Sequence, residues 1–189
     1  INEFFFRSNA DVPDYVELYN YGNEDIDLTS WSLVDADGSF DGYVMEPGSY
    51  LLLTGEDPFF NLDGEEYYSE NNLPNSLLFD LSLSTSSDDI QLFDDDGHEV
   101  DLVSYDSETW PTGNDFRGHA VELIDPFMDN NIPENWTSSN TEGTYMYDED
   151  GESGEDFGSP SEQNLGYVTP VYGCTDEEAC NFNDEATIN

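Results

Sequence analysis

The strongest constraint on this chain is its charge. Its 189 residues include 45 acidic residues and two strongly basic ones, Arg7 and Arg117, so the formal net charge at pH 7 is −43. Self-repulsion on this scale destabilises any compact state. A folded form therefore requires either high salt, which shortens the screening length from about 8 Å to about 3 Å, or bound divalent cations, which prefer carboxylate ligands.

The same charge narrows the range of partners. Nucleic-acid binding needs Lys and Arg to displace counterions from phosphates, and anionic membrane surfaces attract basic segments. No apolar run in the sequence approaches the length of a transmembrane helix. We therefore expect no nucleic-acid partner and no membrane insertion. The charge favours a salty, calcium-bearing extracellular setting; the alternative is a halophile's solvated surface without specific ion sites.

Short alternating runs separated by turn residues predict an all-β fold. In Tyr15–Tyr19, residues 15, 17 and 19 face one way and residues 16 and 18 the other. Segments 89–93 and 100–105 flank Asp94-Asp95-Asp96-Gly97, which predicts a hairpin. Further strands are predicted at 31–34, 50–54 and 120–124.

Two polar stretches, 57–75 and 137–163, are predicted to be long loops, and the second carries the acidic run 148–152. The composition shifts after Gly166. The chain is therefore divided into a β-sandwich over residues 1–166 and, over residues 167–189, a linker followed by a cysteine-containing acidic tail.

Several segments occur in a specific order. They are Ile1-Asn2-Glu3-Phe4, Asp14-Tyr15-Val16-Glu17-Leu18-Tyr19-Asn20, Ile26-Asp27-Leu28-Thr29-Ser30-Trp31, the hairpin from Asp88 to Tyr105, Gly118–Leu123, Asn135-Trp136, Gly158-Ser159-Pro160 and Asn164. Together they resemble the lamin tail domain, which occurs in nuclear lamins and in many secreted bacterial proteins. The resemblance implies an immunoglobulin-like β-sandwich over residues 1–166. It also implies that these residues build the fold, with Trp31 buried between two sheets.

The tail contains both cysteines, Cys174 and Cys180, separated by five residues. A disulfide between them would fit an oxidising compartment, and a zinc site is disfavoured because no histidine lies nearby. The segment Gly-Cys-Thr-Asp-Glu-Glu-Ala-Cys-Asn, residues 173–181, resembles the start of a repeat in secreted proteins of marine Bacteroidota. In that repeat a further cysteine segment usually follows, which leaves the pairing of the two cysteines open.

Calcium is the predicted cofactor, because several clusters combine closely spaced carboxylates with a turn glycine, as calcium loops do. None has the complete spacing of an EF-hand. The alternative is that Asp-x-Asp-Gly is only a favourable β-turn sequence. The candidate ligands are Asp35, Asp37 and Asp41; Asp94, Asp96 and Glu99; Asp148 and Asp150; and Asp176, Asn181, Asn183 and Glu185.

The sequence gives little support for an enzyme. Acidic residues are so abundant that a glycosidase-like carboxylate pair carries no information. The two histidines, His98 and His119, follow or precede predicted strands, and no nucleophile elbow or zinc-protease motif is present. We expect His119 to be a structural group and Arg117 to lie in a carboxylate network.

These observations predict a non-enzymatic extracellular or cell-surface module with a structural or adhesive role, stabilised by calcium on its acidic loops. Neighbouring modules or copies of the same protein are the expected partners, as in a fibre. Bacterial lamin-tail modules often accompany secreted enzymes. The alternative is therefore an accessory domain of a secreted nuclease, phosphatase or protease. A carbohydrate-binding module, resting on exposed aromatics such as Trp110, is the third interpretation.

Overall fold

The computed structural model describes residues 1–8, 13–55, 75–111, 117–139, 145–146 and 156–167. Within these ranges the chain is built from strands and turns, and no helix there is long and apolar enough to cross a membrane. The strands are β1 (Glu3–Phe5), β2 (Tyr15–Tyr19), β3 (Ile26–Asp27), β4 (Ser32–Leu33), β5 (Asp37–Gly38), β6 (Val44–Met45), β7 (Tyr50–Thr54), β8 (Ser76–Asp80), β9 (Ser87–Phe93), β10 (Glu99–Asp106), β11 (Val121–Leu123), β12 (Trp136–Ser138), β13 (Tyr145–Met146) and β14 (Asp156–Phe157). A short 3-10 turn, Pro133–Asn135, precedes β12.

The strands form two main sheets, which confirms the predicted all-β sandwich. The larger sheet has seven strands in the order β12-β11-β1-β2-β7-β8-β5, and the smaller has three in the order β10-β9-β4. Neighbouring strands of the larger sheet are antiparallel except β7 and β8, which pair in parallel. Two-stranded pairs, β3 with β6 and β13 with β14, complete the described architecture.

Alternation in β1 and β2 places opposite chemistries on the two faces of the larger sheet. Phe4 pairs with Val16, and both side chains are fully buried towards the smaller sheet. The residues on either side, Glu3 and Glu17, pair with each other and point to the outer face. This period of two is the pattern that the sequence predicted for Tyr15–Tyr19.

The core between the sheets is dominated by aromatic rings packed around Phe4. The Phe4 ring stacks on Tyr105 at a centroid distance of 5.0 Å and meets Trp136 edge-on at 5.3 Å. Trp110 packs on Trp136 at 5.6 Å and is only 5% exposed. The use of Trp110 as an exposed sugar-stacking residue was therefore wrong, because its ring belongs to the core.

Trp31 also differs from the expectation. Its side chain is half-buried and packs against the edge of the core, whereas Leu28 is the residue that is fully buried there. The strand that follows is limited to Ser32–Leu33. Trp31 immediately precedes this short strand, so it lies at the end of the sandwich instead of between the two sheets.

The predicted hairpin is confirmed as β9 and β10, which pair from Glu99 and Phe93 to Asp106 and Ser87. The turn between them closes through Gly97, whose φ of 78° lies in the left-handed region that glycine adopts without strain. The Asp94 carboxylate accepts hydrogen bonds from the backbone N–H groups of Asp96 and His98. Here the Asp-Asp-Asp-Gly sequence forms the turn of the hairpin.

The last third of the described chain returns to the larger sheet. Strand β11 pairs with β1, and β12 pairs with β11. Residues 156–167, which we call the covering segment, then cross the outer face of that sheet. The prediction of one long loop over 137–163 was wrong where the chain forms strands, at 137–138, 145–146 and 156–157. Residues 148–152 and 57–74 lie outside the described residues.

Replacing Phe4 by Ala should destabilise the protein by about 3–5 kcal/mol, because it removes the ring on which the aromatic core packs. Urea unfolding followed by tryptophan fluorescence would measure the change. Leu78→Ala is the matched control, since Leu78 is 57% exposed and should change the free energy of unfolding by no more than about 0.5 kcal/mol. Equal losses in both variants would contradict this description of the core.

Candidate functional site

The outer face of the larger sheet carries a row of three buried glutamates, which we call the glutamate row. Glu3 on β1 lies directly opposite Glu17 on β2 and Glu122 on β11. All three residues have 0% relative exposure. Like charges in directly opposed positions of a sheet are destabilising, and buried carboxylates require strong hydrogen bonding. The row therefore needs partners from outside the sheet.

The covering segment supplies those partners to Glu3. The Ser159 backbone N–H lies 3.1 and 3.2 Å from the two oxygens of the Glu3 carboxylate, and the Ser159 hydroxyl donates to Glu3 Oε2 at 2.7 Å. The Tyr15 hydroxyl donates to Oε1 from the neighbouring strand. A Cβ added at Gly158 would lie 2.6 Å from the Tyr15 hydroxyl and 2.8 Å from Glu3 Oε1. Glycine thus allows the segment to approach this closely.

Glu17 and Glu122 hold the rest of the covering segment in the same way. Glu17 Oε2 accepts the backbone N–H of Ser161, and Oε1 accepts Asn2 Nδ2 at 2.9 Å. Glu122 Oε2 accepts the backbone N–H of Gly166 at 3.1 Å. Each glutamate therefore binds backbone N–H groups of a segment that has almost no regular secondary structure of its own.

Asn164 secures the covering segment independently of the carboxylates. Its Nδ2 donates to the carbonyl oxygens of Asn2 and Leu123, both at 2.9 Å, and its Oδ1 accepts Asn2 Nδ2 at 2.8 Å. Asn164 is only 5% exposed. Through these side-chain hydrogen bonds, Asn164 ties the segment to β11 and to Asn2, which precedes β1.

Burial sets the electrostatics of the glutamate row. It raises the pKa of Glu3 to about 7, assisted by repulsion from Glu122 and opposed by the hydrogen bonds from Tyr15 and Ser159. Burial also raises the pKa of Glu17 well above its usual value, with repulsion from Glu3 as the next cause. It raises the pKa of Glu122 as well. The row retains protons at a pH where exposed carboxylates have lost theirs.

Sequence reasoning missed this row because the abundance of acidic residues hid it. A signal was present: Glu3, Glu17 and Glu122 each stand inside a strand, with apolar residues on at least one side. Gly158-Ser159-Pro160 and Asn164 were recognised only as resembling a family ending. Their partners in the row became visible only in the folded chain.

The predicted calcium ligands of the first cluster lie in a turn and a short strand. Asp35 has a φ of 57°, in the left-handed region, and Asp37 is in β5 opposite Asp80 of β8. The Asp41 backbone N–H donates to the Ser39 hydroxyl at 3.1 Å. Asp37 and Asp80 are both exposed. The structure thus places Asp37 of this cluster opposite another negative charge, that of Asp80.

In the second cluster, the carboxylates of Asp94 and Glu99 already accept hydrogen bonds within the hairpin. Besides its backbone partners, Asp94 lies 3.2 Å from His98 Nδ1, and these hydrogen bonds, led by the one from the His98 backbone, lower the pKa of Asp94. Glu99 Oε2 accepts Gln91 Nε2 at 3.1 Å across the strands. Asp96 is exposed in the turn, and its backbone N–H donates to Asp94.

The remaining candidate ligands, namely Asp148, Asp150, Asp176, Asn181, Asn183 and Glu185, lie outside the described residues, as do both cysteines. Among the residues that the structure does describe, no three His, Cys, Asp or Glu side chains are grouped so that they could hold a metal ion. The calcium sites remain a prediction.

The two histidines have structural surroundings. His98 is largely exposed in the β9–β10 turn. His119 Nδ1 lies 2.7 Å from the Ser139 carbonyl oxygen, and its ring stacks on Phe157 at 5.0 Å. Arg117 donates to the carbonyl oxygen of Ser8. His119 thus packs against the covering segment through Phe157, and Arg117 bonds to the backbone that follows β1.

One end of the sandwich carries two adjacent cavities. The larger, of about 420 Å³, opens between the sheets and is lined by apolar residues such as Leu28, Trp31 and Met45. The smaller, of about 270 Å³, lies beside it against the covering segment and is lined mainly by aromatic rings. Tyr19, Tyr21 and Leu123 contribute to both.

Two facing sheets around an aromatic core define an immunoglobulin-like β-sandwich module. Comparison with protein families is consistent with this class: the Lamin Tail Domain profile matches residues 1–107. The chain belongs to the lamin tail domain family, whose fold is a non-enzymatic immunoglobulin-like sandwich. No curated protein and no solved structure matches the chain. The match ends after β10, while the sheet continues through β11 and β12.

The glutamate row should make stability depend on pH in a specific direction. A carboxyl group that binds its proton more tightly when folded stabilises the fold fully below about pH 4.5, and this contribution is lost as the pH rises through about 7. Glu3→Gln, which is neutral at every pH, should therefore flatten the decline of the unfolding free energy between these values. Urea unfolding at a series of pH values and constant ionic strength would measure it.

The control for this measurement is Glu24→Gln, the same change at an exposed position. It reports how removing any one negative charge changes the self-repulsion of the whole chain, which also grows with pH. A Glu3→Gln profile parallel to that of Glu24→Gln would show that the row does not titrate as described.

Proposed function

We propose that this chain is a non-catalytic structural or adhesive module of an extracellular or cell-surface protein, stabilised by calcium. The observation that carries the proposal is the way in which the sandwich uses its buried polar groups. The glutamate row, Asn2, Asn164 and Ser159 are all engaged in closing the fold. Such groups would have to be available to a substrate if this face were catalytic.

The surface charge supports calcium as the stabilising ion. With a net charge of −43, the folded chain gains from any cation that is bound more tightly by the folded than by the unfolded form. The opposed Asp37 and Asp80 mark one place where a cation would relieve local repulsion. Asp35 is two residues away on the same turn.

The smaller sheet offers an edge through which neighbouring modules or copies of the chain would associate. Strand β10 is the outer strand of that sheet and the longest described strand, at eight residues. Val100 on this edge is 48% exposed. Glu99 and Asp101 also lie on the edge, and charged residues there discourage pairing between like edges. Asp101 already accepts a hydrogen bond from Asn130 Nδ2 at 2.8 Å. A cation that neutralises the exposed Glu99 would favour such pairing, which links assembly to calcium.

Added calcium should raise the thermal stability of the chain above its value in excess EDTA, at constant high ionic strength. A site that binds only the folded state contributes about 2.7 kcal/mol when calcium is a hundredfold above its dissociation constant. The double variant Asp35→Asn/Asp37→Asn should lose part of this gain, whereas Asp25→Asn at an exposed position should keep it. A gain no larger than that from sodium at the same ionic strength would remove calcium from the proposal.

Location tests the other half of the proposal. An antibody against this chain should detect it in the medium or on the surface of intact producing cells, where added protease should remove the signal. Detection only after cell lysis, in a protease-protected fraction, would contradict an extracellular role.

A further inference from the structure

The smaller cavity at the end of the sandwich, which we call the aromatic cavity, has a lining that the structural role does not explain. Its volume is about 270 Å³. Five rings line it, from Tyr19, Tyr21, Tyr50, Phe127 and Tyr167. These residues come from two strands, two connecting loops and the covering segment. Rings from separate parts of the chain therefore converge on one space.

The rings are held in defined pairs. Tyr19 and Tyr50 stack at a centroid distance of 4.5 Å with an interplanar angle of 18°, as cross-strand partners of β2 and β7. Tyr21 and Phe127 meet edge-on at 5.2 Å and 68°. Tyr21 is 55% and Phe127 57% exposed, so this second pair forms the outer rim. Adjacent exposed apolar residues, unlike scattered ones, are typical of interaction sites.

The covering segment forms the remaining wall. The Tyr167 backbone N–H donates to the Asn164 carbonyl oxygen at 3.0 Å, which places Tyr167 directly after the anchored part of the segment. Asn164 and Asn2, which also line the cavity, have their amide groups bonded to each other and to the sheet. These two amide side chains are therefore held in place by hydrogen bonds within the protein itself.

The charge pattern around the aromatic cavity is unusual. None of the described residues that line it carries a formal charge, yet it is embedded in a chain with 45 acidic residues. Glu17 lies close enough to raise the pKa of Tyr50, although burial is the larger cause and Tyr19 the second. The exposed carboxylates of the chain supply a negative field around the cavity, while no described lining residue offers a carboxylate for direct contact.

From this arrangement we propose that the aromatic cavity binds a quaternary ammonium group. Aromatic faces attract cations through their quadrupole, and this attraction is strengthened where water is partly excluded. The surrounding negative field raises the local concentration of any cation. Anionic ligands are disfavoured by the same field.

The absence of carboxylates from the described lining selects the kind of cation. A primary ammonium or a guanidinium group loses hydrogen bonds to water on entering and needs acceptors in return. A quaternary ammonium has no N–H to satisfy and presents only methyl or methylene groups to the rings. The described lining offers N–H donors only neutral acceptors, on the Tyr hydroxyls and Gln163, so a quaternary ammonium, which needs none, suits the five rings better than Lys-like or Arg-like groups do.

Tetramethylammonium is the direct probe, and neopentyl alcohol is a neutral compound with a similar branched carbon skeleton. Titration of the full chain, followed by NMR shifts or calorimetry at a fixed ionic strength of about 0.5 M to screen non-specific attraction, should show saturable one-to-one binding of tetramethylammonium. The neutral alcohol should bind at least about fivefold more weakly, because it lacks the cation–π attraction.

Two rim variants place the binding in this cavity. Tyr21→Leu and Phe127→Leu retain apolar bulk but remove a ring, and each should weaken tetramethylammonium binding about fivefold. Both positions are exposed, so the variants should unfold at nearly the wild-type urea concentration. Leu78→Ala, equally exposed on β8, is the control and should leave binding unchanged.

Three results would overturn the proposal. The first is an equal affinity for the neutral alcohol, which would indicate a merely apolar cavity. The second is binding of tetramethylammonium that is unaffected by both rim variants or that never saturates, which would indicate general attraction to the acidic surface. The third is no binding of the cation, including the case where a neutral methyl glycoside binds in its place and marks the cavity as a sugar site.

Discussion

The fold depends on the contact between the glutamate row and the covering segment. Three carboxylates stand side by side on one face of the larger sheet, where neither solvent nor a second sheet reaches them. The sheet could not retain them in this position without donors, because each lost hydrogen bond to a buried charged group costs about 1–3 kcal/mol or more. Residues 156–166 provide those donors, largely from their backbone. A segment with little secondary structure is thereby fixed by acids on the sheet.

The two faces of the sheet thus use opposite physics to achieve closure. The inner face packs Phe4, Val16 and Val121 against the smaller sheet through apolar burial. The outer face also buries the stacked rings of Phe5 and Tyr15, but it adds directional hydrogen bonds whose strength depends on the protonation of the row. Packing on the inner face is insensitive to pH, so the glutamate row on the outer face adds its own pH dependence to that of the exposed carboxylates.

The covering segment also connects the proposed activities of the molecule. Its first part donates hydrogen bonds to Glu3 and Glu17. Its last residue, Tyr167, lines the aromatic cavity. Exposed carboxylates such as Asp37 and Asp80 repel one another in water, whereas the buried glutamates accept hydrogen bonds from the covering segment. Burial and donors, and not residue type, separate the two kinds of acidic residue.

The sequence by itself determined the class of fold. The alternation in Tyr15–Tyr19, the turn Asp94–Gly97 and the lamin-tail motifs predicted strands, hairpin and sandwich, because period and turn chemistry are local properties of the chain. It did not determine that Trp110 is in the core, that 137–138 belong to the sheet while 156–163 cover it, or that three of 45 acidic residues form a buried row. Those outcomes depend on which residues meet across strands β1, β2 and β11 and on where residues 156–167 come to rest. Some of these contacts join positions more than a hundred residues apart, such as Glu3 and Ser159, and only the tertiary structure decides them.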